Sequence, residues 1–528
     1  MRLNYLKSLY HAIFGYKITE NMKKFIDMNK QHWNDFEGTQ EKGYVLAAGM
    51  KNSATYFTVS ARVAKSIEEE TGCLPIVLLP SFSFSSKHWI KIYESYNIKR
   101  FLFYRNYSIN IRFLLKSLRL TLRFFLKKKN VDDLLKLKCE DIYIGDLIYD
   151  TILRNTLKLY TIEKIYLKYF GYIFSAFLRT MIYKKIFNEY NIKYLYTSIT
   201  TFTMWGILIR VADKYNAIVI RASRLLMKNF KGLDICEGLR PRESDVEALK
   251  EIEILGKDLD NYFIKRFSGA IHEIDVFKSY KDKTNYSKES LCEYLNISIN
   301  YPFAFIMAHA FADGSHITSI DKLLFRDYYV WLIETLKYIS QINNVNWIIK
   351  PHPLSYFYGE TGEVERLVNL YNNNNNLHLT PNDLNTGSIK NIADIIITVS
   401  GTAGMEFGCF GVPVIITGHS SYSGFGFTIE PKTVDEYFEL LKNILNIPKL
   451  TEQQIKNAKT LAAIMFIYSR TNDPLMPWGE KFIYTGRSKK NIWDQTCSLI
   501  TQYSRLEDEF YLRVKDLLNL NLYKKYLN

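Results

Sequence analysis

Short apolar runs alternate along the chain with longer segments in which apolar residues recur at helical spacing. In the first half, the runs predict strands at Tyr44–Ala48, Pro75–Leu79, Arg100–Phe103, Ile142–Ile144, Tyr194–Tyr196 and Ala217–Ile220. Strands that alternate with helices indicate a parallel sheet covered on both faces. We therefore expect a Rossmann-like domain over residues 1–285.

The same alternation starts again after a polar, lysine- and serine-rich stretch, Ser279–Glu289, which we interpret as an inter-domain linker. Strands are predicted at Phe303–His309, Asn346–Lys350, Leu377–Leu379, Ala393–Val399 and Val412–Thr417, and helices at Lys322–Gln341, Glu363–Tyr371 and Thr402–Phe410. These elements predict a second Rossmann-like domain over residues 297–450. The remaining residues, 451–528, are predicted to form a helical tail that packs back on the first domain. The expected fold class is thus α/β, with two Rossmann-like domains facing across a cleft.

Composition agrees with a folded protein of more than one domain. The chain has 528 residues, of which 47% are apolar and 23% charged, as in ordinary globular proteins. The net charge of +15 suits an anionic partner, although a lysine-rich composition alone raises it as well. Aromatic residues reach 15%, but no nucleic-acid-binding motif accompanies them, and we do not expect such binding.

Cysteine usage and hydropathy indicate the compartment. Six cysteines occur without a CxxC motif or a nearby histidine pair, a pattern that fits reduced thiols in the cytoplasm. The N-terminal residues lack the apolar core of a signal peptide. No stretch of about 18 apolar residues is free of charge, so we expect a cytoplasmic protein that does not span a membrane.

Three polar loops follow strands of the second half, where ligands of open α/β sheets bind. They are Ala310–His316, Lys350–Pro353 and Ser400–Glu406. In the first, Asp313 and His316 are expected to face the cleft. Asp313 is a candidate catalytic acid or base, although Asp-Gly is also a common turn dipeptide.

The loop at Ser400 has the clearest chemistry. Ser400, Gly401 and Thr402 allow close backbone approach and open a helix, whose free N–H groups attract a phosphate. Glu406, one turn further on, is placed to accept hydrogen bonds from ribose hydroxyls. The alternative is that Gly404 only permits tight packing of the helix on the sheet.

His352 lies between two prolines that restrain its backbone. An imidazole held rigidly at a strand end suits donation to a phosphate oxygen or to a leaving group. Lys350 adds positive potential at the same place, or is simply a solvated strand end.

The segments Ile348–Pro353, Thr398–Gly408 and Gly411–Ile415 resemble the capsule polysaccharide biosynthesis family of GT-B glycosyltransferases. That family includes transferases of 3-deoxy-manno-octulosonate (Kdo) that use a CMP-activated sugar, and Tyr422–Thr428 resembles a further segment of them. The His-Pro and Ser loops are also similar to those of bacterial sialyltransferases. The resemblance covers about residues 300–430.

The resemblance implies a role for each matching residue. His352 contacts the CMP phosphate and assists the leaving group, Ser400, Gly401 and Thr402 bind that phosphate, and Glu406 binds the ribose. Tyr422, Gly424 and Gly426 line the donor pocket. Neither a metal nor a cofactor is implied beyond the nucleotide-sugar co-substrate, and no DxD-like motif follows a strand.

The acceptor side is less defined. Enzymes of the GT-B type usually bind acceptors at the first βα loop, which here holds Lys51, Asn52 and Ser53. Glu237, followed by a glycine after the strand Ala217–Ile220, is a candidate base. The acceptor itself and the general base stay open.

The stretch Arg105–Lys129 contains eight basic residues and no acidic one. At 100° per residue, Arg112, Lys116, Arg119 and Arg123 share one face of a helix, while Leu118 and its apolar neighbours lie opposite. This pattern is typical of helices that lie on an anionic membrane surface. The alternative is an ordinary helix with its apolar face on the core.

These observations predict a peripheral enzyme at the inner face of the cell membrane. It transfers a sugar, Kdo or another nonulosonic acid, from a CMP donor to a surface polysaccharide or lipid-linked glycan. Three alternatives stay open. They are a CDP-polyol phosphotransferase of the teichoic-acid type, a UDP-sugar 2-epimerase, and a non-catalytic scaffold for capsule assembly or export.

Overall fold

The protein is described by a computed structural model. It describes residues 18–34, 41–50, 54–80, 87–127, 129–222, 227–230, 246, 254–271, 274–316, 323–468, 475 and 490–518.

The first domain is built on a six-stranded sheet. In chain order its half of the protein contains β1 (Tyr44–Ala48), β2 (Leu74–Leu79), β3 (Arg100–Phe103), β4 (Lys138–Cys139), β5 (Ile142–Tyr143), β6 (Ile192–Thr197), β7 (Ile218–Ala222) and β8 (Met227–Phe230). The strand order is β3-β2-β1-β6-β7-β8, and every pair is parallel except β7 with β8. Hence the sheet has the strand order of a Rossmann-like domain.

One predicted strand lies outside this sheet. Ile142–Tyr143 pairs with Lys138–Cys139 in a separate antiparallel hairpin. The turn between them contains Glu140 at a positive φ of 58°, and each strand is only two residues long. A short apolar run cannot by itself reveal which strand it pairs with.

Helices cover both faces of the first sheet, and their apolar sides form the two cores that sandwich it. They span Glu20–His32, Ala54–Thr71, Lys87–Glu94, Tyr104–Ser108, Ile111–Leu126, Val131–Leu135, Gly145–Asn155, Phe170–Glu189 and Ile207–Lys214. A π-helical turn, Phe202–Gly206, precedes the last of them.

The second domain repeats the plan with five strands. They are β9 (Phe303–Met307), β10 (Asn346–Lys350), β11 (Leu377–Leu379), β12 (Ile395–Thr398) and β13 (Val414–Ile416), in the order β11-β10-β9-β12-β13. All four pairings are parallel. The predicted fold class, an α/β chain with two Rossmann-like domains as in GT-B enzymes, is confirmed.

The helices of the second half span Ile254–Phe267, Ile274–Tyr280, Lys288–Leu295, Tyr328–Ile339, Glu363–Tyr371, Ala403–Gly408, Val434–Lys442, Glu452–Ala463, Lys490–Ile500 and Glu509–Leu518. Among the helices described, none is both long enough and apolar enough to cross a membrane.

The domain boundary differs from the predicted residue 285. The helices Ile254–Phe267 and Ile274–Tyr280 pack into the core of the second domain, where Phe263 lies 5.0 Å from the Phe410 ring. A buried ion pair between Arg266 and Glu406 adds a polar connection. Their aromatic side chains match the second core, which helical periodicity alone does not reveal.

The C-terminal helices divide between the two domains. Glu452–Ala463 packs against the helix Ala403–Gly408 of the second domain. Lys490–Ile500 and Glu509–Leu518 return to the first domain, where they pack on the helices Glu20–His32 and Ala54–Thr71. Arg62 and Asp508 form an ion pair of 2.9 Å there, with both side chains buried.

The two domains are joined by a buried polar junction between the helix Gly145–Asn155 and the loop after β9. His316 Nδ1 lies 2.8 Å from Asp150 Oδ1, its Nε2 lies 2.9 Å from the carbonyl oxygen of Arg326, and its backbone N–H donates to Asp150. Because both ring nitrogens face oxygen acceptors, the imidazole is charged. Burial disfavours that charge, but the Asp150 carboxylate outweighs it and raises the pKa of His316. His316 therefore holds the domains together, and the prediction that it faces the cleft is wrong because Asp150 buries it.

Asp327 forms a second buried contact at this junction. Its Oδ2 accepts hydrogen bonds from the hydroxyl groups of Tyr149 and Thr161 of the first domain. Its Oδ1 caps the helix Tyr328–Ile339 by accepting from the N–H of Val330 at 2.8 Å. Together with His316, Asp327 fixes the approach of the domains.

We expect His316→Gln to destabilise the protein in a pH-dependent way. The pKa of His316 is higher in the folded protein than in the unfolded chain, so the ion pair stabilises fully below about pH 6.5 and less as the pH rises through the folded-state value. Removing one partner of a buried pair costs about 3 kcal/mol. The loss of thermal stability should be larger at about pH 6 than at about pH 9.

The matched control is His378→Gln, because burial lowers the pKa of His378 and the neutral ring is the native form. The loss of thermal stability caused by His378→Gln should not decrease at higher pH. A His316→Gln effect that is equal at both pH values would contradict a charged His316.

Candidate functional site

A cavity of about 130 Å³ lies at the carboxyl ends of β9, β10 and β12. The strand order reverses between β9 and β12, which is where doubly wound sheets bind their ligands. We call it the donor cavity. Its lining comes from the second sheet and from the helices before it: Arg266, Val276, Ser279, Tyr280, Met307, Ala308, His309, Lys350, Pro351, His352, Pro353, Thr386, Thr398, Gly401, Thr402, Ala403 and Glu406.

His352 reaches this cavity from the end of β10. Its Nδ1 accepts a hydrogen bond from the N–H of Leu354 at 3.2 Å. This bond places the proton of the neutral ring on Nε2, which becomes the hydrogen-bond donor of the side chain. The two flanking prolines and the Leu354 contact thus fix both the position and the tautomer of the ring.

Lys350 is one of two cations that line the cavity, and the other, Arg266, is paired with Glu406. Burial and, to a smaller extent, the nearby Lys283 lower the pKa of Lys350 to about 8. The ammonium therefore predominates at neutral pH, and an anion in the cavity would raise its pKa again. Burial and Lys283 both disfavour the charge of Lys350, and a bound phosphate oxygen would offset both effects.

The segment Gly401–Ala403 lines the cavity beside these side chains. The helix that follows spans Ala403–Gly408, only six residues, and is shorter than the predicted helix Thr402–Phe410. Its dipole is therefore weaker than the sequence predicts. The N–H of Ser400 donates to His309 Nε2 at 3.3 Å, and Ser400 is not among the lining residues. An anion here would meet the backbone of Gly401 to Ala403 rather than a long helix.

His309 is a site residue that sequence reasoning missed. It follows β9, stacks on Tyr328 with ring centroids 4.3 Å apart, and lies 3.1 Å from the Thr398 hydroxyl. Burial and, to a smaller extent, His352 lower the pKa of His309 to about 3. The neutral ring positions the Ser400 loop by accepting its N–H. The available signal was its place at the carboxyl end of the predicted strand Phe303–His309.

Glu406 has a structural contact that the predicted ribose role did not include. Its two oxygens accept hydrogen bonds from Arg266 at 2.7 and 3.0 Å, and Oε2 also accepts from the Tyr280 hydroxyl at 3.0 Å. Burial raises the pKa of Glu406, but the Arg266 charge and these bonds outweigh it, and the net pKa is lowered. The carboxylate therefore ties the helices before β9 to the Ser400 loop. What the structure shows for Glu406 is this ion pair.

Tyr422, Gly424 and Gly426, which were predicted to line the donor pocket, are not among the lining residues of the donor cavity. Tyr422 is buried behind the loop, where its hydroxyl donates to the carbonyl of Gly401 and its ring packs on Gly404. A Cβ at Gly404 would meet the Tyr422 hydroxyl oxygen at 2.4 Å. Gly424 and Gly426 are exposed, with φ values of 77° and 82°. Their sequence pattern reflects packing and turn geometry.

Asp313 is exposed at the boundary of the two domains. It accepts a hydrogen bond from the Tyr358 hydroxyl, and the guanidinium of Arg154, from the first domain, lies 4.3 Å from the Tyr358 ring centroid. Glu360 accepts the N–H groups of Phe311 and Ala312 at 3.0 and 2.9 Å, and its burial raises its pKa to about 7. These contacts hold the loop that carries Asp313.

Four predicted site residues lie outside the described residues. They are Glu237 and the acceptor-side residues Lys51, Asn52 and Ser53. The residues brought together at the donor cavity are His352, Lys350, Gly401, Thr402 and Glu406.

We expect Glu406→Gln to lower the free energy of unfolding by about 3–5 kcal/mol, because it leaves the buried guanidinium of Arg266 without its countercharge. The double variant Arg266→Met/Glu406→Leu should recover most of that loss. Chemical denaturation measures both, with Glu439→Gln, an exposed glutamate, as the control. Unchanged stability with a raised KM for the donor would instead support the ribose role.

No family model and no curated protein matches the chain. Among solved structures, it is similar to a KpsC β-Kdo 2,4-transferase from Thermosulfurimonas dismutans, at 13% identity and a TM-score of 0.32, covering 51% of this chain and 79% of that one. It is similar to a glycosyltransferase from Rickettsia africae, at 13% identity and a TM-score of 0.26, covering 92% and 99%. A UDP-GlcNAc 2-epimerase from Neisseria meningitidis bound to UDP-GlcNAc matches at 10% identity and a TM-score of 0.23, covering 81% and 98%. Similarities this low concern the fold, and the functional inference rests on the chain's own residues.

Proposed function

We propose that the protein is a glycosyltransferase that binds a nucleotide sugar in the donor cavity. The observation that carries this proposal is the convergence of Lys350, the Nε2 donor of His352 and the backbone of Gly401–Ala403 at the reversal point of the second sheet. A cation, a fixed N–H donor and close backbone approach together suit a phosphate group. The resemblance of the His352 and Ser400 segments to enzymes that use CMP-activated Kdo favours a cytidine donor over a uridine donor.

Sugar transfer from such a donor breaks the bond between the anomeric carbon and a phosphate oxygen. The leaving group is the nucleotide phosphate, whose added negative charge Lys350 and His352 stabilise as the bond lengthens. The acceptor hydroxyl oxygen forms the new bond to the anomeric carbon and loses its proton to a base. Asp313 is the exposed carboxylate of the described cleft loop and takes this role in the proposal.

The exposed surface of the helix Ile111–Leu126 supports binding of the protein to a membrane. Ser117, Thr121 and Phe124 face the core, while a stripe of exposed apolar residues runs along the outer surface. That stripe consists of Ile111, Leu115, Leu118, Leu122 and Leu126, with exposed fractions of 71%, 61%, 39%, 45% and 81%.

A basic stripe runs beside the apolar one. At 100° per residue, each basic side chain lies one position after an apolar one. Its members are Arg112, Lys116, Arg119, Arg123 and Lys127, all exposed, of which Lys116 also pairs with Glu140 at 2.9 Å. Apolar side chains that enter a headgroup region, flanked by cations that meet anionic lipid, describe an interfacial helix. We propose that this face binds the inner surface of the cell membrane, where a lipid-linked glycan acceptor is found.

We expect CMP to raise the melting temperature more than UDP, because a ligand that binds only the folded state stabilises it. His352→Ala should keep the CMP-induced shift in part but lower sugar transfer by about 100-fold, the scale of losing a positioned proton donor. The control is His378→Ala, on β11 and outside the donor cavity. Normal turnover of His352→Ala would make His352 structural, and a shift with UDP alone would reject the cytidine donor.

We expect the protein to co-sediment with vesicles that contain phosphatidylglycerol but not with pure phosphatidylcholine, and less so in high salt. Arg119→Glu with Arg123→Glu, and separately Leu115→Ser with Leu122→Ser, should each reduce binding. The control, Lys432→Glu with Lys442→Glu, makes the same charge change at exposed residues of the second domain. Equal binding to both vesicle types, or reduction by the control pair, would contradict the proposed face.

A further inference from the structure

A second and larger cavity lies in the first domain and shares no residue with the donor cavity. It has a volume of about 620 Å³ and opens beside the segment that follows β6. We call it the basic cavity. Its walls come from the end of the helix Gly145–Asn155, the start of the helix Phe170–Glu189 and the π-helical turn: Thr151, Arg154, Asn155, Lys168, Gly171, Tyr172, Ser175, Arg179, Ile199, Phe202, Thr203, Met204 and Trp205.

The charges of the basic cavity are all positive. Arg154, Lys168 and Arg179 line it, and the lining residues, all within the described part of the chain, include no carboxylate. Between these three cations and the carboxylates of the described ranges, the structure contains no ion pair. Three cations in one concave wall whose lining holds no carboxylate create a positive potential that an anionic ligand would neutralise.

Neutral contacts hold two of these cations in place. Arg179 Nη1 donates to the hydroxyl of Thr203 at 3.0 Å and to that of Ser175 at 3.3 Å. Arg154 lies over the Tyr358 ring. Hydroxyl and ring contacts orient a guanidinium without cancelling its charge, so both remain able to pair with a carboxylate or phosphate.

The backbone and the aromatic side chains of this wall also suit a saccharide. Phe202 has a φ of 63°, a left-handed conformation that is rare for a bulky residue and that clusters at ligand sites. It begins the π-helical turn Phe202–Gly206, and such turns are frequent at functional sites. Phe202, Tyr172 and Trp205 line the cavity, and the apolar faces of a sugar ring pack well against aromatic side chains.

The position of the basic cavity connects it to both ends of the proposed reaction. Tyr358, which lies under Arg154, donates to Asp313 at the domain boundary. On the other side, Phe125 near the end of the helix Ile111–Leu126 stacks on Phe170 at 5.8 Å, next to the lining residue Gly171. The cavity thus lies between the candidate base and the proposed membrane face.

We propose that the basic cavity binds an anionic saccharide through a carboxylate or phosphate held by Arg154, Lys168 and Arg179. This inference rests on the proposed function in one respect, that the bound saccharide is the acceptor of the sugar. Two parts of a saccharide supply such an anionic group: the carboxylate of an acidic sugar, or the phosphate that links a glycan to its lipid.

The test measures direct binding by saturation-transfer NMR with three probes: glucuronate, glucose 1-phosphate and neutral glucose. Both anionic probes, or one of them, should bind and glucose should not. A preference for glucuronate identifies an acidic sugar as the source, and a preference for glucose 1-phosphate identifies the phosphate. Arg154→Gln with Arg179→Gln should weaken binding about 10-fold or more. Equal binding of all three probes would overturn the proposal.

The matched control is Lys164→Met against Lys168→Met, since Lys164 is exposed on the same segment but does not line the cavity. Only Lys168→Met should weaken binding of the anionic probes. A CMP-induced melting shift that is retained in every variant shows that each one folds and keeps its donor site. Undiminished binding of the anionic probes to the Arg154/Arg179 variant, with that shift intact, would refute the site. If the Arg154 and Arg179 substitutions weaken binding of the anionic probes but the unsubstituted protein transfers no sugar, the transferase function is refuted and the binding site is not.

Discussion

The buried pair of Asp150 and His316 is the interaction on which the geometry of the cleft depends. A charged imidazole with oxygen acceptors on both nitrogens is out of water and compensated only when the two domains meet in this orientation. Beside this pair, Asp327 also connects the two domains, because it accepts hydrogen bonds from two hydroxyl groups of the first domain. Groups of this kind tolerate little displacement, because separating them leaves a buried charge without a partner.

The loop after β9 transmits that constraint to the donor cavity. His309 accepts the Ser400 N–H at one end of the loop, and His316 anchors the other end to the first domain. Between them, Glu360 accepts two consecutive backbone N–H groups. A segment restrained at three points holds its exposed carboxylate, Asp313, at a defined place in the cleft. The same loop therefore links the contact between the domains to the position of the candidate base.

Each of the two cavities contains positive charge. Lys350 belongs to the donor side, and Arg154 and Arg179 belong to the first domain. In the proposed reaction a nucleotide phosphate and an anionic acceptor would repel each other, and fixed cations in both cavities would offset that repulsion. Phe125 of the helix Ile111–Leu126 stacks on Phe170, the chain neighbour of the lining residue Gly171.

The sequence by itself determined the local elements and the residues at the strand ends. Runs such as Arg100–Phe103, Asn346–Lys350 and Glu363–Tyr371 have the predicted bounds, because apolar periodicity and turn residues act over a few neighbours. Likewise, Lys350 and His352 follow a strand of a parallel sheet, and such positions meet at one edge. The convergence of these two residues with Gly401 and Thr402 was therefore predictable.

Only the tertiary structure decided the partner of each buried polar group. Glu406 is paired with Arg266, 140 residues away in the chain, and His316 with Asp150, 166 residues away. Tyr422 packs behind the Ser400 loop, against Gly404. Glu360 and the residues of the basic cavity had no distinguishing spacing in the chain. Local pattern reports which face of an element is apolar, whereas the partner of a buried charge is set by long-range packing, which brings together residues that are unrelated in sequence.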